Sequence, residues 1–290
     1  MKLEQVMRKS FFGNIFLVVL KIISGFLFSS VALIADGVHS TSDLLSDVFV
    51  ILGIRHSLKP ADEDHPLGHG KFEYVLSFIL GLTIISIAYG LGRSVIIHFN
   101  DEPIIPNIVS LVIVVIVVVL KLILSRYLIR KGKELDSEII SASGKESLTD
   151  VFSSGVVFVG IIGVLLGEQL NITWLLKGDK VASILIALFI VRIGLVIIWE
   201  AIASLQGRAV KKEVQDVYRS MINQTKGVIT VDHLDMIAYG PYYQALVDIS
   251  VDATISVKEG HDIAKNVSER LAKDEKICHV IVHVNPEGEQ

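Results

Sequence analysis

The chain of 290 residues is 51% hydrophobic and only 20% charged. Its mean hydropathy of +0.59 excludes an ordinary soluble protein and indicates an integral membrane class. A formal net charge of -4 provides no basic field for nucleic acid, and the one cysteine, Cys278, excludes an internal disulfide and every multi-cysteine zinc site.

Six segments are long enough to span a bilayer, whose ~30 Å core takes about 20 apolar residues. They cover approximately 11–30, 32–55, 73–98, 107–128, 142–167 and 180–204. The first is read as a retained span, because no Ala-x-Ala cleavage pattern follows it. Only Ser29-Ser30 separates it from the second, which demands a very tight turn. The fourth, Ile108 to Leu124, is a near-continuous Val/Ile/Leu run and is expected to face lipid. The second and fifth carry the polar residues and are expected inside the bundle. Basic clusters precede the first segment, lie in the second-to-third and fourth-to-fifth loops, and follow the sixth. All four fall on one side, so the positive-inside rule puts both termini of a multi-pass protein in the cytoplasm. The expected division is a transmembrane domain over 1–206 and a cytoplasmic domain over 207–290. In the latter, helix 211–223, strands 228–238 and 243–251, helix 257–272 and strand 277–283 give an αββαβ order, with Gly240-Pro241 turning the hairpin.

Four clusters could carry chemistry. Asp36, His39, Asp43 and Asp47 follow at steps of three, four and four, one ionisable stripe on a helix at lipid depth. Such a stripe marks an ion or proton pathway, unless it is a helix end whose acids reach headgroup water. On the fifth segment Glu146 and Asp150 are again four apart. If the two helices face each other, His39, Asp43, Glu146 and Asp150 offer four ligands to a divalent transition ion. Glu146 alternatively pairs with Lys145. The third cluster is Asp62, Asp64, His65 and His69 in the loop 60–71, either a surface metal site or a solvated acidic loop. The fourth is His233, Asp248, His261 and His283, spread over the C-terminal strands and helix, and histidines so scattered are also compatible with purely structural roles.

At these residues the chain resembles the cation diffusion facilitator family of divalent-metal/proton antiporters, in particular its bacterial ferrous-iron and zinc efflux branch. The strongest single match is the loop Pro60-Ala-Asp-x-x-His-x-x-Gly-His-Gly-Lys71. The resemblance implies a fold of six transmembrane helices followed by a metallochaperone-like α+β domain. It also implies a homodimer and proton-coupled efflux of zinc, ferrous iron, manganese or cobalt by alternating access. These ions are cargo, with further structural or regulatory ions, and no catalytic cofactor is expected. Carried over by position, the transport site is His39, Asp43, Glu146 and Asp150; the loop site is Asp62, His65 and His69; and the cytoplasmic dimer-interface site is His233, Asp248, His261 and His283, near Asn285. Asp36 and Asp47 then line the approach to the transport site, unless one of them is only structural.

Three departures stand out. Glu146 replaces the histidine of the zinc-selective pattern, Asp248 and Asn285 replace a histidine and an aspartate, and Gly207 stands where an acid pairs the loop lysine, here Lys71. An enzyme is not expected: the His-Glu-x-x-His of an intramembrane metalloprotease is missing. A membrane-anchored metal sensor acting through its cytoplasmic domain is the alternative function, but it has no use for an intramembrane carboxylate cluster.

Overall fold

The computed structural model describes residues 2–134 and 138–288; within its helices the side chains of 2–5, 7, 46–47, 50–55, 138–139, 141–142, 146 and 149 lie outside the described set. Six long helices come first: α1 (Lys2–Leu27), α2 (Val31–Ser57), α3 (Phe72–Ile97), α4 (Ile108–Glu134), α5 (Glu138–Leu170) and α6 (Gly178–Leu205). At ~1.5 Å per residue each exceeds the hydrocarbon core. Among the described residues, five are apolar enough to cross a membrane by length and composition. The remaining one, α2, is also of spanning length at 27 residues. The chain divides into two compact units, one of Met1–Val48 with Leu80–Val196 and the other of Phe49–Ile79 with Ile197–Gln290.

In the first unit the turn from α1 to α2 is as tight as the sequence requires, with Ser29 at φ 58°. Its stability comes from a distant acid. Asp179, at the start of α6, accepts from the Ser30 hydroxyl (2.7 Å) and from the amides of Val31 (2.7 Å) and Ala32 (3.2 Å), capping α2. A carboxylate is favourable there because it answers both the orphan amides and the helix dipole. On α5 and α6, Gly160 and Gly178 let two backbones touch: a Cβ on Gly178 would lie 2.6 Å from the Gly160 carbonyl oxygen.

The expectation that the fourth segment simply faces lipid is corrected. Helix α4 buries Ser110, Val114, Val117, Lys121, Ser125, Leu128 and Gly132, residues recurring every three or four positions along one face. It packs along α5 through this stripe, where the Ser125 hydroxyl donates to the Gly144 carbonyl at 2.7 Å, and only the opposite side, with Val112, Val119 and Ile123, stays exposed. An unbroken apolar composition conceals such a stripe, because lipid and protein interior accept the same residue types. Lys121 is its one conspicuous marker.

The second unit contains α7 (Lys212–Asn223), β1 (Thr230–Tyr239), β2 (Tyr242–Val251), α8 (Val257–Leu271) and β3 (Ile277–Pro286), the expected order with ends shifted by at most a few residues. The sheet order is β1-β2-β3, antiparallel then parallel. Tyr218 and Ile222 of α7 and Val267 and Leu271 of α8 share one core with Leu234, Met236, Val247 and Ile249, so both helices cover one face of the sheet.

The loop before α3 docks on the β1–β2 turn of this unit. The Tyr239 hydroxyl donates to the Gly68 carbonyl (3.1 Å) and the Gly240 amide to the Tyr74 hydroxyl (2.8 Å). Lys71, lacking an acid at Gly207, instead reaches the Leu205 carbonyl (3.5 Å) and lies 5.5 Å from the Tyr239 ring centroid. Gly240 has φ +63°, and a Cβ there would lie 2.2 Å from the Gly70 oxygen. Gly240→Ala is therefore expected to cost at least the ~1–2 kcal/mol of left-handed backbone strain and to release the loop. Limited proteolysis checks this: faster cleavage within 59–71 than in the wild type is expected, and an unchanged digest counts against the docking.

Candidate metal site in the transmembrane unit

Helical spacing puts His39 one turn after Asp36 and Asp43 one turn further along the same face of α2. Asp150 comes from α5, which runs beside α4. His39, Asp43 and Asp150 each offer a ligand atom within 4.8 Å of the other two. His39 and Asp150 are buried, at 3% and 5% exposed, while Asp43 is half-buried. His39 Nε2 is 3.7 Å from Asp150 Oδ1, its Nδ1 has no hydrogen-bond partner among the described residues, and Phe189 of α6 meets its ring edge-on at 5.4 Å between centroids. An imidazole left without a strong acceptor, facing two carboxylates, suits a borderline divalent cation. A small cavity of about 40 Å³ adjoins Asp43 and Asp150, bordered by Asn14, Ser40, Lys121 and Ser147. Glu146, the fourth member expected from the sequence, has its side chain outside the described residues, as does Asp47.

Two lysines shape this region, and reading the sequence missed both. Lys121 of α4 contacts Asp150 Oδ2 at 2.5 Å and donates to Asn14 Oδ1 at 3.2 Å. Lys21 of α1 contacts Asp36 Oδ2 at 2.8 Å, both side chains being 0% exposed, and donates to the Ser40 hydroxyl at 3.0 Å. Asp36 also accepts from Ser153 (2.7 Å) and Ser154 (2.6 Å). The expectation that Asp36 lines an access path is thereby corrected. Its carboxylate is enclosed and fully partnered, and it ties α1, α2 and α5 together. The available signal was a lone lysine inside each of two otherwise apolar segments.

In the second unit, Asp62, His65 and His69 come together as the loop motif suggests, with ligand atoms within 4.8 Å. Asp62 Oδ1 accepts from the His65 amide (2.7 Å) and lies 3.1 Å from its ring Nδ1, while His69 Nε2 is 3.4 Å from Asp62 Oδ2. Partial desolvation opposes ionisation of Asp62, but the hydrogen bonds from His65 and the nearby His69 outweigh it and hold the carboxyl below its usual range. His56, from the end of α2, brings a third imidazole 5.5 Å from that of His69. Asp64 stays exposed and is not part of the group.

The strand register places His233, Asp248 and His283 side by side across β1, β2 and β3, on the face away from α7 and α8, since their neighbours Leu234, Val247 and Val282 point into the core. His233 is paired with Asp235 at 3.1 Å. His261 stands on α8, beside Val282 and Val284 on the helical side of the sheet. One chain therefore gathers three of these four residues into a row and leaves His261 apart. Asn285 donates to Asp232 Oδ2 at 3.3 Å, and Asp232 also accepts from Ser250 at 2.7 Å.

Comparison with known proteins accords with this layout. Residues 7–206 match the family model described as the cation efflux transmembrane domain, and residues 210–287 match the cytoplasmic domain of cation efflux proteins. The manganese efflux system protein MneP of Bacillus subtilis is 30% identical over 99% of this chain and 98% of its own length. An uncharacterised transporter of Methanocaldococcus jannaschii is 33% identical over 98% of each, and the magnetosome protein MamB of Magnetospirillum gryphiswaldense is 28% identical over 92% of this chain and 88% of its own. Among solved structures, a copper form of a MamM C-terminal domain matches 26% of this chain and 96% of its own, at 25% identity and a TM-score of 0.26.

Proposed function

The chain belongs to the cation diffusion facilitator family of divalent-metal efflux transporters, and from that premise we propose that His39, Asp43, Glu146 and Asp150 form its transport site, working by alternating access against protons. The observation that supports this most is the convergence of His39, Asp43 and Asp150 from two helices in a buried site beside a small polar cavity. Ligand chemistry supplies the coupling. Carboxylates and imidazole coordinate only when deprotonated, so a proton-rich exterior displaces the cation and the protonated site returns. His39, whose side chain type titrates nearest neutrality, is the main proton carrier.

One imidazole with three carboxylates is a harder set than two of each. It tilts selectivity modestly toward manganese or ferrous iron, while the general affinity order still favours zinc, so the cargo is a set of ions rather than one. The likeness to a protein named for manganese efflux supports the same preference. In this reading residues 207–290 form a cytoplasmic domain that dimerises, and the row of His233, Asp248 and His283 binds metal together with groups from a second chain. The loop site of Asp62, His65 and His69 lies on the same side of the inner membrane, as do both termini.

Purified protein in proteoliposomes provides the test. Uptake of Mn²⁺ driven by a proton gradient is expected, and competition by Fe²⁺, Co²⁺ and Zn²⁺ at equal free concentration ranks the cargo. No flux of any of the four metals would sink the exporter reading and leave the metal-sensor alternative. Flux indifferent to the gradient would replace antiport by a channel.

A further inference from the structure

The strongest feature that metal coordination leaves unexplained is Lys121. Its ammonium is buried in the same polar pocket as the proposed ligands and contacts one of them directly. It contacts the Asp150 carboxylate and the neutral amide of Asn14. A coordinated divalent ion would need the same carboxylate, and two cations cannot share one carboxylate in a low-dielectric site without strong repulsion.

Resting on the transport-site reading, we propose that Lys121 is a tethered counter-cation: its ammonium holds Asp150 while the site is empty and swings away before a divalent ion can coordinate there. Geometry supports this in three ways. Lys121 sits in the buried stripe of α4 one turn after Val117, and its long flexible stem lets the head pivot. Asn14 on α1 is already within hydrogen-bonding distance and retains the ammonium after it leaves Asp150. The adjoining cavity of about 40 Å³ has space for the move. Formal charge agrees as well, since three carboxylates, one divalent ion and one displaced ammonium sum to zero. The device gives Asp150 a counter-charge while the site is empty and lowers the site's affinity, so that bound metal can leave.

Calorimetric titration of Mn²⁺ into the full chain in nanodiscs, at one fixed neutral pH, tests this. Lys121→Gln is expected to tighten binding at least about tenfold, the factor for a carboxylate occupied by lysine in about nine-tenths of metal-free molecules. Lys121→Arg keeps the charge and should stay within about threefold of wild type. A purely structural lysine would give the opposite, weaker binding in Lys121→Gln, and unchanged or weaker binding overturns the proposal. Should Lys121→Gln not fold, Lys121→Met preserves the stem and carries the same expectation. A metal-loaded structure of the wild-type chain reads the step with no substitution: Nζ away from Asp150 is expected, and Nζ still bound to a metal-ligating Asp150 overturns it. Wild-type protein that binds no Mn²⁺ removes the transport site itself, which separates the two failures.

Discussion

Asp150→Asn should reduce proton-driven Mn²⁺ uptake by more than a hundredfold while the protein still folds. Asp150 is the only carboxylate contributed by α5 among the described residues of the cluster, and it is shared between His39 at 3.7 Å and Lys121 at 2.5 Å. Loss of a group that merely supports a ligand typically costs about 10–100-fold in metal affinity or activity, so loss of a ligand should cost more. Asparagine is preferable to alanine because its amide oxygen still accepts from Lys121. Both changes remove the negative charge facing the buried ammonium, at about 3–5 kcal/mol, but alanine also removes the acceptor and so confuses instability with inactivity further. Uptake in proteoliposomes, normalised to folded protein, checks the expectation. Near-wild-type flux in folded Asp150→Asn would remove Asp150 from the transport site.

The second large effect concerns stability. Lys21→Met or Asp36→Ala should each destabilise the transmembrane unit by about 3–5 kcal/mol, because each strands a fully buried charge. Asp36→Ala also deprives the Ser153 and Ser154 hydroxyls of their acceptor. The double change Lys21→Met with Asp36→Leu removes both charges and should recover much of that loss, since apolar replacement of a buried ion pair is often nearly neutral. Thermal melting of the three variants in one detergent reads the outcome. Singles that melt like wild type, or a double that melts no higher than the worse single, would show that the pair does not hold α1, α2 and α5 together.

How legible these features were depended on the range of the forces behind them. The stripe on α2 could be read because helical spacing is a local property: His39 and Asp43 had to share a face whatever packed against it. The αββαβ order was legible for the same reason, through alternation in the strands and the Gly240-Pro241 turn, while the structure adds a capping box between Ser256 and Glu259 at the start of α8. The loop motif also announced its cluster, since Asp62, His65 and His69 lie within one short segment. Neither Lys21 nor Lys121 could be assigned a partner, because their carboxylates lie 15 and 29 positions away in other segments, and only helix packing chooses among such pairs. His56 was overlooked because a single histidine near a helix end carries no pattern of its own.

By itself, the amino-acid sequence determined that this chain enters a membrane, which of its helices carries ionisable groups at lipid depth, and which residue types stand ready to bind a divalent cation. Composition and spacing suffice there, because burial in lipid penalises every unpaired charge regardless of topology. Tertiary structure decided which charges are partnered and which are available. It withdrew Asp36 from the access path by pairing it with Lys21, and it set Asp179 as the cap of α2. It also turned the apparently featureless fourth span into the carrier of Lys121, an ammonium beside the proposed site. Those outcomes depend on distances of a few ångströms between segments far apart in the chain, where a low dielectric makes each pairing strong and each omission costly.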